Sequence, residues 1–252
     1  MSYLPSLDYP LQAARGLTDG VSIERKFGRN PNIGTSDEVI ASSGLANPYT
    51  PTIATTIEAI STSANDTAAG SGARTIIVEG LDASFNEITA TITMNGTSAT
   101  TATTSSFIRV NRVYVATSGT YQGNNAGDIT VRVSGAGATI GLILTGLGQN
   151  LNSHYCVPNG YDIYLTEIHL SSEANKQMSF TFWQVQDAND VTVPFTGKRA
   201  LQRYDAVSNV VNLDYSTAPV RIPSKSDIWV SGVLSSGTGA GSAEYIFYKV
   251  AL

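Results

Sequence analysis

Glu87-Ile-Thr-Ala-Thr-Ile-Thr-Met94 carries an apolar side chain at every even position and a polar one at every odd position. That two-residue period belongs to a strand with one buried face; wound as a helix, the same residues would put apolar groups all round the axis. Asn95-Gly96 follows directly, and because both residues tolerate positive φ the pair predicts a tight hairpin. Working outward, related patterns occur in Thr52–Ile60 and Arg74–Glu79 on one side, and in Phe107–Val115, Asp128–Val133 and Ala138–Leu144 on the other. Turn-forming stretches, Asn65–Gly72 and Gly80–Asn86, separate them. The set predicts an antiparallel β-sandwich over residues 51–148.

A glycine-rich joint, Thr145–Asn150, leads to a second series of short strand patterns: His154–Val157, Tyr161–Leu170, Gln177–Val185, Val207–Leu213, Val220–Ile222, Asp227–Leu234 and Glu244–Val250. These predict a second sandwich over residues 149–252, of jelly-roll type. Composition agrees with an all-β chain. Among 252 residues, 28 are Thr and 27 are Ser, while charged residues make up 14% against the usual value of about 25%. Residues 1–50 differ: Pro5, Pro10, Pro31 and Pro48 interrupt them, and only Leu11–Arg15 suggests a helical turn. They predict an extended N-terminal arm ahead of the two sandwiches, seeking a partner surface, with wrapping of its own β-domain as the alternative.

The net charge of −5 argues against nucleic acid as a partner, because phosphate recognition draws on clustered Lys and Arg, and the 15 here are scattered. A membrane role is not expected either. The longest apolar run, Ile140–Leu147, is far short of a spanning helix, and the first residues show no basic, apolar-cored secretion signal. One cysteine, Cys156, and two histidines, His154 and His169, leave little with which to hold a metal, and no cofactor is expected.

Several constellations touch on chemistry without completing it. His154 and Cys156 are two apart on a predicted strand, so they share a face as a nucleophilic pair would, yet no third group orients them. Gln186-Asp-Ala-Asn-Asp190 offers clustered oxygens but reads as a turn. The glycines of Ser134–Gly141 imitate a phosphate loop without a helix to follow. Glu79 with Glu87, and Asp162 with Glu167, are carboxylate pairs of rim type. Tyr161, Tyr164, Trp183 and Trp229 form either a sugar platform or sandwich core, with core the expectation. No catalytic residue is expected. The arm carries the one asymmetric feature: Arg25, Lys26 and Arg29 around Phe27, on an otherwise acidic protein. An aromatic anchor ringed by cations suits docking on an acidic neighbour, with a solvated turn as the equal alternative.

Tyr3–Gly16, Lys26–Pro31, Ala64–Asp82 and Met94–Ser98 resemble segments of virion structural proteins of tailed bacteriophages, marine and cyanobacterial ones in particular. The resemblance spans about residues 1–130, and the second unit is similar in strand pattern to jelly-roll modules of phage decoration and fibre proteins. It implies a noncatalytic capsid decoration or cement protein, made in the host cytoplasm and held on the capsid surface by its arm. The implied partners are the major capsid protein or other virion proteins, with a homo-oligomer, a trimer first, as the expected assembly. A tail, baseplate or adaptor component is the alternative within that class. A host-surface glycan-binding module is the alternative outside it.

Overall fold

The computed structural model describes residues 9–42 and 51–252, and among these the chain is all-β, with sixteen strands and one short helix. In chain order they are α1 (Tyr9–Ala14), β1 (Val21–Ile33), β2 (Glu38–Val39), β3 (Ile57–Ser61), β4 (Ala73–Leu81), β5 (Glu87–Thr93), β6 (Arg109–Ser118), β7 (Ile129–Val133) and β8 (Thr139–Ile143). Then follow β9 (Tyr155–Cys156), β10 (Tyr161–Ser172), β11 (Met178–Val185), β12 (Arg199–Val207), β13 (Val210–Asp214), β14 (Val220–Ile222), β15 (Asp227–Leu234) and β16 (Gly239–Ala251).

Two of the sheets have the order β1-β16-β10-β13 and β12-β11-β15-β2. Numbering those eight strands one to eight along the chain gives orders 1-8-3-6 and 5-4-7-2, the double Greek key of a jelly roll. Ile163, Leu165, Phe180, Phe182, Ile228, Val230, Tyr245 and Phe247 from both sheets fill the space between them. Phe182 meets Tyr245 edge-on at 5.5 Å between ring centres, an arrangement that suits the ring quadrupoles.

The other two sheets, β3-β7-β8 and β5-β4-β6, form a smaller sandwich around Ile57, Ile76, Val78, Ile92, Val113, Ile129 and Ile143. This sandwich is spliced into the second strand of the jelly roll. β2 pairs β15 at Ser231 and Gly232, while β9 pairs the same strand at Asp227 and Ile228, so the two are halves of one edge strand. The chain leaves and returns at one place. Ala41 bridges Asn152, Ser42 N–H donates to Leu151 C=O at 2.9 Å, and Ser153 N–H donates to Ile40 C=O at 2.9 Å. Adjacent ends are what allow one domain to be inserted into another without distorting either.

This arrangement corrects the reading of residues 1–50. Residues 1–8 and 43–50 lie outside the described residues, but within 9–42 the chain is built into the jelly roll rather than extended from it. β1 pairs β16 from Val21 to Ile33, so the second unit does not begin at residue 149; its first two strands come from 21–39. β1 escapes a hydrophobic reading because its inward positions are Lys26, Gly28 and Asn30. Gly28 is required by a close approach: a Cβ there would lie 2.3 Å from Ile40 O and 2.4 Å from Ser153 N.

Candidate functional site

Along β1 the side chains alternate, so the predicted cationic ring around Phe27 is divided. Arg25, Phe27 and Arg29 project to one face and Lys26 to the other. Arg25 is held by Glu244 at 3.1 Å, and Phe27 remains 38% exposed. Lys26 turns inward and donates to the Asn111 carbonyl of β6. Burial, with Arg112 nearby, depresses its amine to about 7. The four residues lie on a paired strand, and Lys26 faces the inserted sandwich rather than a neighbour.

Beside Lys26 lies a cleft of about 710 Å³ between the two units. Its walls are Glu24–Phe27 of β1, Glu87–Thr89 of β5, and Glu79, Asn111 and Arg112 from the sheet that includes β5. Tyr155 and Phe247 add the apolar end of the jelly-roll core. Lys249 spans one side, 2.7 Å from Glu24 and 2.8 Å from Glu87. Burial works against its charge, but the two carboxylates raise its pKa. Asn150 also borders the cleft; its Oδ1 accepts from Val113 N–H, while its buried Nδ2 has no protein partner.

A second meeting of the two units is closed. Arg109 of β6 grips Asp227 of β15 through Nε and Nη2 at 2.8–3.1 Å, and its Nη1 donates to the carbonyls of Pro51 and Ile108 at 2.8 Å. His154 Nε2 lies 2.8 Å from Asp227 Oδ1, which Arg109 Nε also contacts. Burial lowers the histidine pKa, against the hydrogen bond and charge of Asp227. Burial alone would raise Asp227, but the hydrogen bond and charge of His154, followed by the Arg109 guanidinium, hold the carboxyl below the ordinary range. Burial first, and then the charge of Asp227, push the Cys156 thiol well up. The His154–Cys156 pair therefore has its third group, but that group is a carboxylate locked by arginine, and a thiol held protonated is no nucleophile. Leu81, Phe85, Ile108, Cys156 and Ala188 pack around this joint.

The remaining sequence candidates are structural. Asp190 accepts from Thr192 N–H and from both the N–H and hydroxyl of Thr196, organising its own loop. Among the described residues no group of three or more His, Cys, Asp or Glu side chains is placed to hold a metal ion, and no helix is long and apolar enough to cross a membrane. Trp183 and Trp229 stack at 6.4 Å, but Trp229 is buried and Lys198 lies 3.9 Å over the Trp183 ring, so the pair presents no open platform. His169 bonds Asn212 at 2.8 Å and Glu167 at 3.1 Å on the outer face of the β1-β16-β10-β13 sheet. Sequence reading missed Arg109 and Asp227; 118 residues separate them, and no local pattern joins them. It also missed an exposed apolar cluster, Ile53, Val191, Val193 and Phe195, in which Ile53, Val191 and Phe195 border a hollow of about 520 Å³.

No family model and no curated protein matches the chain. Among solved structures it is similar to virus-particle proteins. The infectious bursal disease virus VP2 subviral particle matches at 10% identity over 92% of this chain and 73% of that one, with a TM-score of 0.25. The Gt strain of the same virus matches at 8% identity over 97% and 78%, with a TM-score of 0.24.

Proposed function

We propose that the chain is a noncatalytic structural subunit of a virus particle, of the capsid decoration or cement type. The observation that carries this reading is the splice: a jelly roll whose broken second strand holds a further β-sandwich, tied back by the buried Arg109–Asp227 pair. Jelly rolls serve as shell and lectin modules, so the fold leaves both open. Of the two we take the shell, in line with the virion role expected from the sequence of residues 1–130. The exposed cluster of Ile53, Val191, Val193 and Phe195 is suited to lateral contact with a neighbouring subunit, since apolar patches of this kind mark interaction sites. The partners in this reading are the major capsid protein and further copies of the chain, with a trimer first, on the capsid surface.

Imaging of intact particles that locates the chain is the test. Copies on the head lattice in proportion to the capsid protein support the decoration reading; a few copies on the tail favour an adaptor or baseplate part. Absence from purified particles overturns both. Anchoring is tested separately by deleting residues 1–20, which spares β1. Loss of the truncated protein from particles is expected, and normal incorporation removes the N-terminal segment from the account.

A further inference from the structure

Among the described residues, two strands bordering the 710 Å³ cleft are paired on one side only: β1 with β16, and β5 with β4. Antiparallel ladders bond alternate residues. Ala251 N–H donates to Gly20 C=O, so the even residues of β1 bond β16, whereas Arg29 N–H reaches Leu151 C=O on the other side. The main-chain groups of Arg25 and Phe27 therefore point away from β16. In β5, the Asp82–Asn86 and Met94–Arg74 bonds set the even residues toward β4, so those of Glu87 and Thr89 point away from it. Consecutive residues of each strand, 24–27 and 87–89, line the cleft. Neighbouring side chains lie on opposite faces, so both sets border one space only if it runs along the strand edges. The charges there are unevenly matched. Glu24 and Glu87 share Lys249, and Arg25 has Glu244, while among the described residues two cations, Lys26 and Arg112, and one carboxylate, Glu79, have no ion-pair partner, an excess of positive charge.

We propose that the cleft accepts an extended acidic peptide of a partner protein as an added strand, bonded to the free edges of β1 and β5, with its carboxylate against Lys26 and Arg112. Main-chain bonds supply the affinity in such strand addition, and side-chain positions supply the choice of partner. Filling the site also covers two edges that are otherwise open to unwanted pairing. The inference does not rest on the virion reading, because its test uses the isolated chain with no particle present.

The probe is a fluorescein-labelled, amidated peptide, Thr-Val-Thr-Glu-Thr-Val-Thr, titrated with the full chain and followed by anisotropy. Saturable binding is expected, weakened by about tenfold or more when the probe's Glu is replaced by Lys. Thr89→Pro removes an outward N–H from an edge strand, where proline is tolerated, and should weaken binding to a similar degree, as should Arg112→Glu. Independently of any variant, the probe should slow amide exchange at Arg25, Phe27, Glu87 and Thr89. No saturable binding up to about 1 mM, binding that leaves those four amides unchanged, or a cleft that takes maltohexaose and ignores the peptide would each overturn the proposal.

Discussion

The inserted sandwich meets the jelly roll at two places, and they treat charge in opposite ways. At the joint, Arg109, Asp227 and His154 are buried and each is bonded; the arginine alone donates to the carboxylate and to two carbonyls. At the cleft, among the described residues, Lys26, Arg112 and Glu79 lack ion-pair partners and two strand edges are bare. A buried charge cluster with every group paired can hold two units in one register. A half-paired one beside open main chain is left with bonding capacity for something else. One contact fixes the splice; the other keeps a surface in reserve.

The largest test of that contrast is Asp227→Ala. It strands a buried guanidinium and should cost about 3–5 kcal/mol in urea denaturation, while the apolar pair Arg109→Met with Asp227→Leu should recover much of the loss. A cost no larger than that of an ordinary surface change would mean the joint does not hold the units together. Next comes Gly28→Ala, whose Cβ would sit 2.3 Å from Ile40 O at the crossing beside the cleft. Backbone must shift there, at about 1–3 kcal/mol; an unchanged melting temperature would contradict the close approach.

Lys26→Met should act in the opposite direction. The folded protein depresses this amine from 10.5 to about 7, so it holds the proton less firmly than the unfolded chain does. The penalty for burying the charge is complete below about pH 7 and fades as pH rises toward 10.5. The variant should therefore be more stable than the parent by about 1–2 kcal/mol near neutrality and below, with the gap closing in alkali. A gap independent of pH would show that the amine is not desolvated. The smallest effect belongs to His169, away from both contacts. Its bond to Asn212, opposed by partial burial and helped by Glu167, raises its pKa above 6.5. Whatever stability it adds is complete below 6.5 and lost as pH rises through the raised value, and at this exposed site His169→Gln should cost only a few tenths of a kcal/mol. Titration of its ring signals by NMR checks the direction.

The strands themselves are legible in sequence wherever one face is apolar. Glu87–Thr93 is a strand with the alternation its residues display, and Asp227–Leu234 and Gln177–Val185 supply strands of the jelly roll. β1 is not legible, for a physical reason: its inward side meets a crossing chain and the insert, so it carries Lys26, Gly28 and Asn30 where a strand over a core would carry Val or Ile. The basic cluster there is therefore taken for a surface feature, although Lys26 points inward. The splice is hidden because Ala41 and Asn152 find one another across more than a hundred residues. The candidate cleft is made of main-chain edges, and an edge is a property of pairing rather than of residue type.

Residue-resolved amide hydrogen exchange of the isolated chain tests the central claim most directly. If β1 is a jelly-roll strand with a bare edge on the cleft, Ser22, Glu24 and Lys26 are protected while Arg25 and Phe27 exchange quickly. β5 should repeat the pattern, with Ile88 protected and Glu87 and Thr89 fast. Rapid exchange at every residue from 22 to 27 would restore the free arm, and uniform protection across both strands would mean the cleft is closed; either result contradicts the account.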